Sequence, residues 1–288
     1  MSEDTPVSLV TGASRGAGRG IAVALGGHGC TVYVTGRTQK TGDPPPPGTI
    51  DETAEAVTAA GGKGIAVRVD HADDDQVKAL FDQVGRDEGR LDILVNNACA
   101  LNDAQKGARG FWEKPLAVAH MLDVGLRSSY VATYYAAPLM IGHGRGLVVF
   151  TSASGAVHYV FGPAYGAVKA GMDKFAADMA VDFKDYGVAT LSIWMGPLRT
   201  ERMAERIASS PETMGALAET LETTEFTGHI VWALYNDPEM MKLSGQTVIG
   251  AELAVTYGIQ DEDGKQPPSY RDTFGVEPRV QYPEPVIR

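Results

Sequence analysis

The chain has 288 residues, of which 44% are hydrophobic and 21% charged, and it carries a formal net charge of -11. This composition is typical of a globular protein and excludes a chain that is disordered throughout. The acidic balance, with no Lys/Arg-rich stripe to offset it, would repel a phosphate backbone and excludes nucleic acid as a partner.

The amino terminus is acidic, whereas a secretory signal begins with a basic region. No apolar stretch reaches the ~20 residues that are needed to span a bilayer. We therefore expect a cytoplasmic protein without a membrane span. Cys30 and Cys99 are too few for a disulfide scaffold, and neither they nor the histidines have metal-ligand spacing. We expect two reduced thiols and no metal site.

Short apolar runs alternate with longer amphipathic segments from Val7 onward, a rhythm typical of βαβ units and of a parallel sheet buried on both faces. The predicted strands are Val7–Thr11, Thr31–Thr35, Gly64–Val69, Ile93–Asn96, Gly146–Thr151, Val188–Trp194 and Gln246–Ile249. The predicted helices include Arg19–His28, Asp51–Ala60, Asp75–Asp87, Pro115–Met140 and Ala164–Asp185. Seven strands with helices between them predict a doubly wound α/β sheet, a Rossmann fold. We assign residues 1–258 to this single domain.

Two segments interrupt the rhythm. Residues 40–48 include Pro44 to Pro47, which predict a stiff surface loop because proline supplies no backbone donor. Residues 259–288 are rich in proline and charge and have little periodicity, so we predict an extended C-terminal extension. It would either lie over a neighbouring subunit or be disordered.

A glycine-rich turn, Thr11-Gly-Ala-Ser-Arg-Gly-Ala-Gly-Arg-Gly-Ile21, directly follows the first predicted strand. Between a strand and a helix, glycines let a pyrophosphate approach backbone N–H groups and the positive end of the helix. The alternative is a tight turn without a ligand. The residues predicted to bind a dinucleotide here are Gly12, Ser14, Arg15, Gly16, Ala17 and Gly18.

The end of the second strand predicts the choice of cofactor. A carboxylate there would bind a free ribose 2′-hydroxyl, but the sequence reads Val34-Thr-Gly-Arg37. Arg37, together with Arg15, could form charge-assisted bonds to a 2′-phosphate. NADP(H) is therefore favoured over NAD(H), unless Arg37 is only a solvated surface residue.

Tyr165 and Lys169 stand four residues apart and so share one face of a predicted helix. An ammonium ~4 Å from the phenol, at an effective dielectric of ~20, would lower the pKa of Tyr165 by roughly three units, toward working pH. Ser152, at the end of a predicted strand, would hydrogen-bond the substrate oxygen. Ser154 is the rival serine.

In this order the motifs resemble the short-chain dehydrogenase/reductase family over roughly residues 5 to 255. The matching residues are Gly12, Gly16, Gly18, Asp70, Asn96-Asn97-Ala98, Ser152, Tyr165 and Lys169. A narrower similarity, to the member 1 type of these dehydrogenase/reductases, rests on Val124-Gly-Leu-Arg127, Phe111-Trp112-Glu-x-Pro115 and the extended tail.

The resemblance implies further roles. Asp70 would contact the adenine edge, although it could instead cap the next helix. Asn96 and Asn97 would support the cofactor and the strand geometry through their amides, or merely form a turn, and Ala98 is predicted with Asn96 to contact the cofactor. Lys169 would hold the nicotinamide ribose, while Gly196 and Thr200 lie where the family's loop reaches the nicotinamide carboxamide. Related chains pair through the helices that correspond to Pro115–Met140 and Ala164–Asp185, which implies a homodimer or homotetramer.

Three positions depart from the family pattern. Cys99 replaces a glycine, Met195 replaces a proline, and Gly125 replaces the asparagine that completes a proton relay. We hypothesise that Gly125 keeps its helix kinked and leaves a main-chain carbonyl free to hold a relay water. Alternatively, Gly125 only allows close helix packing.

The activity predicted is an NADP(H)-dependent interconversion of a carbonyl and a secondary alcohol, with Tyr165 as general acid/base. Large apolar side chains favour an apolar or aromatic substrate, although each of them could equally belong to the core. The predicted pocket residues are Phe111, Trp112, His158, Tyr159, Val160, Phe161 and Met203. The alternatives are a catalytically idle NADP-binding redox sensor or assembly partner and, among enzymes, an enoyl or 3-oxoacyl reductase.

Overall fold

The computed structural model describes residues 5–39, 48–209, 212 and 217–288. Its centre is one parallel sheet of seven strands in the order β3-β2-β1-β4-β5-β6-β7, which confirms the predicted doubly wound fold. The strands are β1 Val7–Val10, β2 Thr31–Gly36, β3 Lys63–Arg68, β4 Ile93–Asn96, β5 Gly146–Ser152, β6 Val188–Trp194 and β7 Thr247–Ile249. All of them lie within one or two residues of the predicted bounds.

Helices cover both faces of the sheet. They are α1 Gly16–Gly27, α2 Ile50–Ala59, α3 Asp74–Glu88, α4 Ser128–Ile141, α5 Pro163–Phe183, α6 Glu201–Ser209, α7 Phe226–Asn236, α8 Gly250–Tyr257 and α9 Tyr270–Phe274. One core cluster joins the sheet to α1, α2, α7 and α8, and a second joins it to α3, α4 and α5. Every residue of β1, β2, β4, β5 and β6 is consequently buried, as expected of parallel strands covered on both sides.

The continuous helix predicted over residues 115–140 is wrong. Residues Leu116–Ala119 form a 3-10 turn, and the chain then breaks at Val124 (φ -101°, ψ 91°) and Gly125 (φ 155°, ψ -70°) before α4 begins at Ser128. The positive φ of Gly125 is readily adopted only by glycine, so this residue marks the kink. The expected kink is confirmed, although in a shorter and more irregular segment than predicted.

The two interrupting segments have different outcomes. The proline loop predicted over residues 40–48 lies outside the described residues except for Gly48. The C-terminal extension (residues 259–288) contains α9 and packs on its own chain, where Tyr270 joins a buried cluster with Trp194, Ile249 and Ala251.

Within the part of the chain that the structure describes, no helix combines the length and apolar character that crossing a bilayer requires.

Candidate active site

The predicted site residues meet at the carboxyl ends of the central strands. The strand order reverses between β1 and β4, and ligands of open α/β sheets bind in the crevice that such a reversal leaves. The glycine turn follows β1, Asn96 ends β4, and Ser152 ends β5. Gly196 follows β6, so four loops share this edge of the sheet.

The glycine turn has the backbone conformation that its sequence predicts. Gly12 and Gly16 have φ values of 65° and 54°. Helix α1 starts at Gly16, and its N-terminus has no side-chain cap and no acidic residue in the first turn. The first-turn N–H groups therefore point out of the helix without a side-chain partner, as an anion site requires. Ser14 and Ala17 are half-buried beside them.

Two of the glycines are required by the protein itself. A Cβ on Gly12 would lie 2.7 Å from the Cα of Ala98, and a Cβ on Gly18 would collide with the side-chain nitrogen of Asn97. Close approach of a ligand was the reason expected for both glycines. The structure shows instead that the loop after β4 packs directly against the turn. Glycine is therefore required at both positions to leave room for this loop, whether or not a ligand binds.

Asn97 fixes the shape of the turn. Its side-chain Nδ2 donates to the carbonyl oxygens of Thr11 (2.8 Å) and Gly12 (3.0 Å). The backbone N–H groups of Asn97 and Ala98 donate to the Thr11 hydroxyl at 2.9 and 3.0 Å. The preceding Asn96 is buried and donates to the Thr133 hydroxyl, while its Oδ1 has no hydrogen-bond partner.

Arginines gather at the end of β2, where the adenosine half of a dinucleotide would lie. Arg37 is exposed, and its Nη1 lies 3.9 Å from the carboxylate of Asp70, in a small cavity that Arg68 also lines. Arg15 donates to the Thr38 hydroxyl at 3.0 Å, and its buried Nε has no hydrogen-bond partner. Burial lowers the pKa of Arg15, as do two nearby cations, Arg202 and Arg37.

Asp70 is not a helix cap. Its carboxylate accepts a hydrogen bond from the Ala72 N–H at 3.0 Å, whereas the cap of α3 is Asp73, which accepts from the N–H groups of Asp75 and Gln76. The capping alternative for Asp70 is therefore wrong. The structure leaves Asp70 at the rim of the cavity that Arg37 lines.

Ser152, Tyr165 and Lys169 come together at the start of α5. Lys169 donates from its ammonium to the Thr151 carbonyl at 2.8 Å, and its Nζ lies 5.6 Å from the centre of the Tyr165 ring. The hydroxyl of the fully buried Ser152 donates to the Lys169 carbonyl at 3.2 Å. Gly155 lies against the Tyr165 ring, so close that a Cβ there would come 2.6 Å from a ring carbon.

The prediction that Lys169 lowers the pKa of Tyr165 is wrong for this geometry. Burial raises the pKa of Tyr165, and Tyr270 and Cys99 add to the rise. An ammonium close to the phenol oxygen was expected, but Lys169 directs its ammonium at the Thr151 carbonyl, and burial lowers the pKa of Lys169. The phenol is therefore held in its protonated form, ready to donate a proton.

Gly125 and Cys99, two departures from the family pattern, are neighbours in the structure. A Cβ on Gly125 would lie 3.2 Å from Val168 and 3.4 Å from the Cys99 sulfur. The Gly125 carbonyl, which was expected to be free for a relay water, accepts a hydrogen bond from the Ser129 hydroxyl at 2.5 Å. Gly125 therefore both kinks the chain before α4 and allows close packing against Val168 and Cys99. Burial raises the pKa of Cys99, so it is a neutral thiol.

Glu222 holds the loop after β6 and was missed by the sequence argument. Its carboxylate accepts from the Gly196 N–H at 3.0 Å, and burial raises its pKa to about 8. Thr200 lies beside the glycine turn, because a Cβ on Gly16 would come 3.5 Å from its methyl group. Glu219 and Glu225 stand three residues away on either side, so the sequence did not set Glu222 apart from its acidic neighbours.

The rival serine has other partners. The Ser154 hydroxyl is 2.9 Å from Nε2 of His158, and it also hydrogen-bonds the Tyr270 hydroxyl, which moderates the raised pKa of Tyr270. Ser154 therefore belongs to a polar group beside the site, whereas Ser152 is joined directly to Lys169.

The predicted pocket residues differ in exposure and in contacts. Trp112 (76% exposed) and Tyr159 (73% exposed) are surface residues, and Phe111 packs on Trp112, so these three aromatics do not belong to the core. Phe161 packs edge-on against Tyr165, with the ring centres 5.2 Å apart. The remaining members, His158, Val160 and Met203, are half-buried.

Comparison with known proteins gives consistent matches. The sequence pattern of the short chain dehydrogenase family matches residues 6–211. The human protein Dehydrogenase/reductase SDR family member 1 is 38% identical over 284 residues, which cover 94% of this chain and 87% of that protein. A 3-oxoacyl-[acyl-carrier-protein] reductase from Synechocystis sp. is 30% identical over 245 residues, 84% of this chain and 93% of that protein. A solved short chain dehydrogenase from Mycobacterium thermoresistibile has the same fold, with a TM-score of 0.75 at 24% identity over 99% of this chain and 98% of that one.

Proposed function

The chain belongs to the short-chain dehydrogenase family and is an NAD(P)-dependent oxidoreductase, and we propose that it uses NADP(H) to interconvert a carbonyl and a secondary alcohol on an apolar substrate. The observation that carries this proposal is the convergence of Ser152, Tyr165 and Lys169 at the carboxyl ends of the strands. The narrower similarity to the member 1 type is supported by the human relative.

The described residues fit a nicotinamide dinucleotide. The uncapped N-terminus of α1 suits a pyrophosphate, and the unpartnered Nε of Arg15 shows that this cation has hydrogen-bonding capacity to spare. Residues 36–39, where β2 ends, include no carboxylate to repel a 2′-phosphate, and Arg37 is exposed there, 3.9 Å from Asp70 on the neighbouring loop. These features support NADP(H) as the preferred cofactor.

A nicotinamide cofactor held at this site would supply or take the hydride, and Tyr165 would donate or accept the proton. The raised pKa of Tyr165 keeps its phenol protonated, so in reduction it donates that proton to the substrate oxygen. Lys169, whose Nζ lies 5.6 Å from the centre of the Tyr165 ring, would turn its ammonium from the Thr151 carbonyl toward the phenolate that remains and stabilise it. Ser152 would turn its hydroxyl from the Lys169 carbonyl to the substrate oxygen and stabilise the charge that develops there.

A panel of apolar ketones and aldehydes, assayed by oxidation of NADPH and separately of NADH, tests the proposal. We expect turnover with NADPH, and a drop in kcat of about 10²- to 10⁴-fold in Tyr165→Phe with NADPH binding retained. Ser152→Ala should lower kcat far more than Ser154→Ala. If the wild type binds NADPH but reduces no carbonyl of the panel, and Tyr165→Phe changes nothing measurable, the chain is the idle NADP-binding protein instead. Turnover that survives unchanged in Tyr165→Phe would refute Tyr165 as the proton donor.

A 3-oxoacyl reductase is the second candidate, because the Synechocystis relative that carries this name is matched over most of both chains. A 3-oxoacyl thioester in the same panel separates the two activities. Preference for the thioester over simple ketones by kcat/KM would favour the second candidate.

We also propose that the chain forms a homodimer or homotetramer through α4 and α5. Tyr130 and Tyr134 on α4 are 51% and 64% exposed, and Phe175 on α5 packs beside Tyr130 with ring centres 5.8 Å apart. Exposed aromatic side chains on neighbouring helices are typical of an interface. Sedimentation of the wild type and of Tyr134→Glu would test this, because a charge in the interface should release monomers.

A further inference from the structure

The C-terminal extension crosses the two loops that flank the proposed substrate site. Tyr270 is 8% exposed, and its hydroxyl donates to the Met195 carbonyl, in the loop after β6, at 2.8 Å. Its ring stands edge-on to Trp194 at 6.1 Å between centres. One turn later, Phe274 lies 5.8 Å from the ring of His158, in the loop after β5. Helix α9 therefore bridges both loops.

Contacts on either side of Tyr270 anchor the extension to the same chain. The carboxylate of Asp261 accepts from the Thr223 N–H at 2.8 Å and also from the Thr223 hydroxyl. On the other side, Arg271 donates from Nε to Glu252 on α8 at 3.0 Å. Since Thr223 adjoins Glu222, which holds the Gly196 N–H, the extension is tied to the loop after β6 at two points.

We infer that the C-terminal extension forms the substrate-side wall of its own active site, and that Tyr270 is a specificity-determining residue. This inference rests on the proposed function and deepens it. The Tyr270 hydroxyl is already bonded to a main-chain carbonyl, so the residue offers a ring and not a free polar group to a substrate. Phe274 stacks on Tyr270 at 5.9 Å and extends the aromatic surface.

The position of Tyr270 relative to Tyr165 agrees with this assignment. Tyr270 is near enough to contribute to the raised pKa of Tyr165. Phe161 packs on Tyr165 from the loop after β5. A substrate oxygen at the Tyr165 hydroxyl would thus bring its carbon skeleton among Phe161, Tyr270 and Phe274. Rings of this kind suit a planar apolar or aromatic substrate.

Hydrogen–deuterium exchange tests the wall without requiring activity. Tyr270→Ala removes the ring that bridges the loops, so residues 154–162 and 195–200 should exchange faster than in the wild type. Tyr282→Ala is the matched control, because Tyr282 belongs to the same extension but is 81% exposed. Tyr270→Phe keeps the ring and should have a smaller effect. Unchanged exchange of both loops in Tyr270→Ala would overturn the inferred wall.

Substrate selectivity tests the role of Tyr270. The measured quantity is the kcat/KM of a polycyclic ketone divided by the kcat/KM of a small aliphatic ketone. In Tyr270→Ala this ratio should rise by about tenfold or more. The missing ring leaves room for the larger ketone and removes a contact surface for the smaller one. Tyr282→Ala should keep the wild-type ratio. A ratio in Tyr270→Ala within about twofold of the wild type would refute the specificity role. A wild type that reduces no carbonyl would refute the proposed function and with it the specificity role, while exchange still decides whether the wall exists.

Discussion

Glu222 gives the protein a stability that falls as pH rises. Its side chain is 1% exposed, and burial raises its pKa from 4.5 to about 8, with Asp261 adding to the rise. Between these two pH values the folded protein keeps a proton that the unfolded chain has released. The contribution of Glu222 is therefore complete below the unfolded pKa and is lost as pH rises toward the folded one. At about 1.4 kcal/mol per pH unit, going from about pH 5 to about pH 7.5 removes ~3 kcal/mol.

Glu222→Gln tests this reasoning, because an amide oxygen can still accept the Gly196 N–H but does not titrate. Urea unfolding of both proteins at about pH 5 and about pH 7.5 should show the variant gaining ~3 kcal/mol relative to the wild type at the higher pH. Glu219→Gln, at an exposed position in the same segment, should show no such gain. A Glu222→Gln difference that is the same at both pH values would refute the argument.

Three further outcomes follow from the site. Gly125→Asn should lower the midpoint of thermal unfolding by an amount equivalent to about 1–3 kcal/mol, because φ is 155° at this residue and a side chain there would press on Val168. Adding Val168→Ala should recover part of the loss. A Gly125→Asn variant as stable as the wild type would contradict this prediction. Gly12→Ala should abolish NADPH binding in a fluorescence titration, because its Cβ would meet the Ala98 backbone; retained binding would mean that the turn adapts. Arg37→Glu should weaken NADPH binding at least about tenfold more than NADH binding by calorimetry, whereas equal losses would exclude contact with a 2′-phosphate.

The sheet could be predicted from the sequence because its central strands are buried on both faces. Residues Ile93–Asn96 and Val188–Trp194 are wholly buried and form compact runs between segments of helical character, and both strands have the predicted bounds. Burial on both faces produces this signal locally, without knowledge of the partner strands. The order of the catalytic motifs along the chain was enough to place them at one edge of that sheet.

The remaining features depend on contacts that leave no local pattern. An isolated glycine such as Gly125 is tolerated in many helices, so the sequence indicated a kink there but not the complete break before α4. The direction of the Lys169 ammonium depends on its hydrogen bond to the Thr151 carbonyl, and the two groups come together only in the folded chain. Glu222 and Tyr270 reach the loop after β6 from distant parts of the chain, and no periodicity identifies such long-range partners.

The place of Tyr270 in the chain has a consequence for the order of assembly during synthesis. It lies beyond β7, so the ribosome has made all seven strands before the segment that carries Tyr270 emerges. Asn97, which braces the turn after β1, is synthesised much earlier, as are Ser152, Tyr165 and Lys169. The substrate-side wall that we infer is therefore the last part of the site to be synthesised.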